Sequence, residues 1–361
     1  MNDALIITVI VLAGVAVAII VATTLIRFLR LRRERRQARL AAGPRRELLA
    51  FAAEPDASGA DRLAAMPQRQ WQHIEPAALA LLGKLRGDGY QALAQVFDRR
   101  GIAEEAIRQT RSRSPVVRAR HAELLGALRH GPAAPDLARL LRDRDVEVVV
   151  VAIRALGHVG DPRAAPALLD TLAGDRSVPA HLVAQSLTQL GPDAVPALMD
   201  ALAAPAATER LTAVQAMGML GDPRPSRAVA GVIAADPDLA VRVAAARTLG
   251  ELGARVGLEP LVAALAPRSP PDLRAAAATA LGALGAPTAA PALGALLNDP
   301  IYQVAHAAAR ALRRLGGPGL NELTGAAAGP SEWTAAHARE ALAMAALANP
   351  ARTARPSPLE V

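Results

Sequence analysis

The chain has 361 residues, 52% of them hydrophobic but only 2% aromatic, with a net charge of +8 and no cysteine. The absent thiols exclude disulfides, thiolate metal sites and cysteine nucleophiles, and the shortage of Phe, Tyr and Trp excludes the aromatic-filled core of an ordinary enzyme. Alanine and leucine carry the burial instead, which predicts an all-α chain of closely approaching helices.

In chain order, residues 1–3 form a short polar start. Ala4 to Ile26 then reads ALIITVIVLAGVAVAIIVATTLI, with no charged side chain. At a rise of ~1.5 Å per residue it spans about 34 Å, enough to cross a hydrocarbon core of about 30 Å as a single transmembrane helix. The segment 27–46 follows, with nine arginines against Glu34, whereas Asp3 is the only charged side chain before Arg27. That order is the reverse of a secretory signal. By the positive-inside rule it places the N-terminus outside and the rest in the cytoplasm. Abundant Ala, Arg, Gly and Pro with scarce lysine suggest a bacterial source, hence the inner membrane. Arg27, Arg30, Arg32, Arg33, Arg35 and Arg36 are the expected contacts to anionic lipid, although such a run also serves simply to fix topology. Gly14, Ala18 and Ala22 share one helix face in a small-xxx-small spacing suited to self-association. Because the charge is concentrated here, the remainder is close to neutral and lacks the dense basic face that nucleic-acid binding needs.

Residues 47–110 read as a degenerate helical region, with 75–101 resembling one imperfect unit. Beyond it a period emerges. Helices close again and again on LG, and the second glycine of each unit falls at Gly131, Gly160, Gly191, Gly221, Gly253, Gly285 and Gly316, in steps of 29, 31, 30, 32, 32 and 31. Each unit is a helix, a glycine C-cap, a turn such as Gly-Asp-Pro-Arg (160–163 and 221–224), and a second helix. Val241, Ala245, Leu249 and Leu252 lie on one face of a first helix, and Leu258, Leu261 and Leu265 on one face of a second. Neither helix buries its face alone, so the units must stack. Trp333–Leu347 reads as a closing helix within 324–348, with Ser331 as its N-cap, and 349–361 as a disordered tail.

The pattern D-x-D-x-x-V-R-x-x-A-x-x-x-L-G-x-L-G, matched by Asp236, Asp238, Val241, Arg242, Ala245, Leu249, Gly250, Leu252 and Gly253, resembles the HEAT-like repeats named after phycobilisome lyases. The resemblance covers about 111–323. It implies a right-handed α-solenoid in which Arg118, Arg210, Arg242 and Arg274 form structural ladders between units. Arg118, Arg210 and Arg274 stand eight residues before Gly126, Gly218 and Gly282, whereas Val149, Ala180 and Ala305 depart from the pattern. Tetratricopeptide and ankyrin signatures are absent, and HEAT units proper are longer.

No catalytic constellation stands out. Histidines 73, 121, 130, 158, 181, 306 and 337 show no H-E-x-x-H and read as core or surface filler. Ser186 and Ser269 lack a nucleophile elbow, and Asp170, Asp193 and Asp200 read as solvated surface. The expectation is a non-enzyme without cofactor or metal. It is a membrane-tethered cytoplasmic scaffold that binds proteins along a concave surface lined by the second helices. An anchor joined to such repeats resembles accessory subunits of membrane enzymes, such as a polysaccharide-synthesising glycosyltransferase. The alternative implied by the resemblance is a bilin-lyase-like enzyme that holds a chromophore or phycobiliprotein.

Overall fold

A computed structural model describes Thr24, Arg27, and residues 43–54, 56–174 and 178–348. Apart from Thr24, the expected anchor at 4–26 lies outside the described residues, and so do Gly14, Ala18, Ala22, Arg30, Arg32, Arg33, Arg35, Arg36 and the tail 349–361. Arg27 is helical and exposed. Among the described residues no helix is long and apolar enough to cross a membrane. The chain comprises two compact units, Met1–Arg108 and Gln109–Val361.

The first unit contains helical residues 43–53 and helices α1 (Ala57–Ala65), α2 (Gln68–Leu82) and α3 (Gly87–Arg99), with α4 (Ile102–Gln109) at its boundary. It gathers three of the chain's seven aromatic residues into one core. Phe51, Trp71 and Phe97 are fully buried with Leu63, Ile74 and Leu93, and Trp71 meets Phe97 edge to face at 5.2 Å. The Arg100 guanidinium lies 4.5 Å from the Trp71 ring. Its Nη1 donates to the carbonyls of Leu63, Ala64 and Met66, which close α1. Carbonyls at a helix end lack the usual intrahelical partner, and that of Leu63 receives only the Met66 N–H at 3.4 Å, so a cation there satisfies both hydrogen-bonding and dipole demands.

The second unit is an all-helical stack of pairs. Its first helices are α5 (Pro115–Ala127), α7 (Val146–Val159), α9 (Ala180–Gln189), α11 (Ala207–Leu220), α13 (Leu239–Glu251), α15 (Pro271–Leu284) and α17 (Tyr302–Arg314). The second helices are α6 (Ala134–Leu140), α8 (Ala165–Asp170), α10 (Val195–Asp200), α12 (Ser226–Ala235), α14 (Leu258–Ala264), α16 (Ala290–Ala295) and α18 (Gly317–Ala327), and α19 (Glu332–Ala348) follows them. Several second helices start in a tight 3-10 turn opened by proline, as at Pro162–Ala164, Pro192–Ala194 and Pro287–Ala289. Proline's fixed φ and missing N–H cost nothing there. Asp145 and Asp238 cap α7 and α13 by accepting backbone N–H bonds from Glu147, and from Ala240 and Val241.

Each first helix packs on the next. In five of them a glycine near the helix end is the point of contact. A methyl added to Gly250 would lie 2.8 Å from the Cα of Ala280, and one added to Gly282 would lie 2.7 Å from the Cα of Ala311. Gly126 meets the Cα of Ala155 and Gly157 the Cα of Ser186 in the same way, whereas a methyl on Gly218 would meet the side chains of Glu251 and Thr248. Except at Gly218 these helices touch backbone to backbone, so the position demands glycine for space. The later glycine is needed for conformation: Gly160, Gly221 and Gly285 take φ of 75°, 68° and 61° at helix ends.

The first unit of the array corrects the sequence reading. Gly131 does not hold the left-handed position; it opens a 3-10 turn, while Arg129 takes φ of 47° at the end of α5. Counted from Arg129, the anomalous step of 29 becomes 31, so the period is regular and only the residue type departs.

Two outcomes follow from this geometry. Gly282→Ala is expected to lower stability by about 1–3 kcal/mol, because the methyl enters a packed backbone contact. Arg129→Gly is expected to raise it by up to ~1 kcal/mol through relief of the left-handed strain. Thermal melts of the full chain check both, and a loss of stability in Arg129→Gly would contradict the strain argument.

Candidate functional site

Among the described residues, a groove of about 920 Å³ opens on first helices. Val243, Arg247 and Glu251 follow one another at four-residue spacing on α13, so they present one face. Opposite them are Asp272 and Thr279 of α15, with Gln303 and Arg314 at the α17 side. Alanines form much of the floor, including Ala275, Ala276, Ala280 and Ala283. The floor is small and apolar for the reason that lets the helices touch, and the rim carries both signs of charge. Such a trough accepts side chains along its floor and ion pairs along its edges.

Two further grooves, of about 800 and 520 Å³, do lie on second helices. The former is bordered by Arg139, Arg142 and Asp170, and the latter by Met199, Leu202 and Val232. Asp170, one of the aspartates read as surface, borders the larger of these two grooves. It stands near Glu209, whose carboxyl is raised above its ordinary value by burial and then by Asp170.

The smaller of these grooves backs onto a rung of the arginine ladder. Arg210 forms a two-pronged pair with Asp236, Nε to Oδ2 at 2.7 Å and Nη2 to Oδ1 at 2.9 Å. Its Nη1 donates to the carbonyls of Ala204 and Pro205. Asp236 lies at the start of the next unit and also accepts the backbone N–H of Asp238. Arg118 with Asp143 and Arg274 with Asp299 repeat the arrangement, down to the two loop carbonyls behind each guanidinium. Every member is at most 16% exposed. Arg242 differs from the expected ladder. Its Nε donates to the Ile233 carbonyl at 2.7 Å, and Pro267 and Arg268 occupy the place where the other units put an aspartate. The paired arginines tie unit to unit, so they shape the grooves without lining a reactive centre.

At the C-terminal end the structure assembles a cluster that sequence reasoning treated as filler. His306 of α17 and His337 and Glu340 of α19 place one donor atom each within 4.8 Å of one another. Tyr302 stacks on His306 at 5.5 Å and lies 5.1 Å from His337, which Trp333 meets edge-on at 4.9 Å. The Trp333 indole N–H donates to the Asp299 carbonyl at 3.0 Å, and Ser331 Oγ accepts the Thr334 N–H at the head of α19. A sequence signal existed. His306 and His337 are 31 residues apart, one repeat period, so a stacked array must bring them face to face.

The HEAT-repeat profile matches residues 103–188, 195–266 and 258–343. No curated protein matches the sequence. Among solved structures, the karyopherin Kap121p bound to Ste12p aligns with a TM-score of 0.50 at 14% identity, over 81% of this chain and 40% of that one. An engineered protein aligns over 83% of this chain and 98% of its own, with a TM-score of 0.40 at 18% identity. The complex of CpcE and CpcF of phycocyanin lyase from Nostoc aligns over 67% and 94%, with a TM-score of 0.32 at 25% identity. At these identities the likeness speaks for the fold alone.

The ladder makes stability depend on pH. The Arg210 guanidinium holds the Asp236 carboxyl below its ordinary value, with burial opposing and the Asp238 N–H assisting. A carboxyl depressed in the folded state stabilises fully above its unfolded pKa, and that stabilisation is lost as pH falls through the folded value. Asp236→Asn is therefore expected to lose less further stability than the wild type between about pH 5 and pH 2. Arg210→Ala is expected to cost about 3–5 kcal/mol near neutrality, by leaving a buried carboxylate unpaired. Melting temperatures across that pH range test both.

Proposed function

Because the chain belongs to the HEAT-repeat family, we propose that it is a non-enzymatic scaffold that binds protein partners through the first-helix groove and is held at a membrane by residues 4–26. The observation that carries this reading is the groove itself. It is a trough of about 920 Å³ spanning three successive first helices, with an alanine floor and Asp238, Arg247, Glu251, Asp272 and Arg314 along its margins. Mixed charge over an apolar floor suits an extended or helical protein segment, which supplies side chains to the floor and opposite charges to the rim. Karyopherin Kap121p bound to Ste12p offers a precedent for a fold of this kind holding another protein.

The tether rests on the uncharged 4–26 stretch, and its orientation on the arginines that follow, with a cytoplasmic repeat domain in a bacterial inner membrane. Arg27, Arg30, Arg32, Arg33, Arg35 and Arg36 stand where they would meet lipid phosphates. In this arrangement the solenoid works as an accessory subunit of a membrane enzyme, such as a glycosyltransferase.

The test is a detergent pull-down from membranes with the full chain and with the Arg247→Glu, Asp272→Arg double variant. Both residues are exposed, so the swap leaves the core untouched. A membrane protein recovered with the wild type is expected to fall by about tenfold or more with the variant, the equivalent of ~1.4 kcal/mol at the rim. Equal recovery would remove the groove from the proposal. Bilin absorbance acquired on mixing with chromophore would replace the scaffold reading with a lyase-like one.

A further inference from the structure

We propose that His306, His337 and Glu340 form a binding site for a late first-row divalent cation, with Zn²⁺ as the matching ion, joining the closing helix α19 to the last repeat helix α17. Two imidazoles and one carboxylate are a ligand set that Zn²⁺ accepts in four-coordinate geometry with one open position. Their donor atoms already lie within 4.8 Å of one another. Bonds of about 2.0–2.2 Å require those atoms to draw together by about an ångström. Glu340 is exposed and His306 half-buried, so side-chain rotation supplies the movement without shifting either helix.

The surroundings favour metal over filler. His337 is 5% exposed, whereas Glu340 is exposed and His306 half-buried, so the cluster joins a buried imidazole to two accessible ligands. The ring is held in place by Trp333 and Tyr302, so its orientation is fixed before any ion arrives. Burial pushes the His337 pKa below its ordinary value, and His306 pushes it the same way, while Glu340 opposes.

The fourth position faces a cavity of about 300 Å³ bordered by Ala309, Arg310, Arg313, Ala341 and Met344. Arg310 and Arg313 oppose a bare dication, which Glu340 offsets from the other side. The same two arginines favour water or a small anion as the fourth ligand. The site spans α17 and α19, so binding would pin the cap of the solenoid to its last repeat.

Titration of the full-length, chelator-stripped protein in detergent with Zn²⁺ alone, followed by calorimetry, is expected to give one saturable site per chain. Co²⁺ in its place is expected to give the d–d bands of a four-coordinate ion. Glu340→Gln and His306→Asn, both outside the buried core, are each expected to weaken Zn²⁺ by about tenfold or more and to remove those bands. His337→Gln adds the buried ligand, with helical content checked beside it. Absent saturable binding, binding unchanged in Glu340→Gln and His306→Asn, or only six-coordinate Co²⁺ bands would each overturn the proposal.

Discussion

The structure depends on one constraint, the backbone-to-backbone approach of successive first helices. Gly126, Gly157, Gly218, Gly250 and Gly282 each lie against a small or β-branched residue one unit later, mostly alanine, at distances where an extra methyl would collide. Helices that close have no room between them for rings. The scarcity of aromatic residues is thus a packing requirement of the array. Phe51, Trp71 and Phe97 cluster in the first unit, and Tyr302 and Trp333 lie at the closing end of the array, where α17 meets α19. The same requirement paves the first-helix groove with alanine, so the groove and the stacking surface share one composition.

Burying arginine between units would be costly if it were left unpaired. Each paired rung answers with a bidentate carboxylate and two loop carbonyls, which use most of the guanidinium's donors. The aspartate that completes a rung also caps the loop leading into the next first helix, through the N–H groups of Asp145, Asp238 and Ile301. One residue thus fixes both the spacing of neighbouring units and the entry of the chain into the following one.

Much of this was legible in the sequence, because a repeat writes its contacts at fixed intervals. The period, the all-helical class and the positions of the paired arginines come straight from recurring residues. What failed did so where one residue type stood in for another. Arg129 holds a left-handed position that glycine holds elsewhere, and Gly131 close by imitated the motif. Arg242 kept the pattern's arginine, but the partner 25 or 26 residues later is Pro267 or Arg268, and a motif centred on the first helix does not extend that far. The first-helix groove has no sequence signal, because groove shape depends on how units stack, which a one-dimensional pattern does not carry. The histidine cluster escaped because ligand motifs were sought within a helix, whereas the relevant spacing was the repeat itself.

The gap at Arg242 has a mechanical consequence. A solenoid bends like a stack of plates, and each buried rung is a tie-bar across one joint. The joints from α5 to α7, α11 to α13 and α15 to α17 carry such a bar, whereas α7 and α9 have Val149 and Ala180 in the arginine's place and Arg242 of α13 has no aspartate partner. The first-helix groove straddles the joint from α13 to α15, with a tied joint on either side. The trough can therefore widen or narrow around a guest while the joints that flank it keep their spacing.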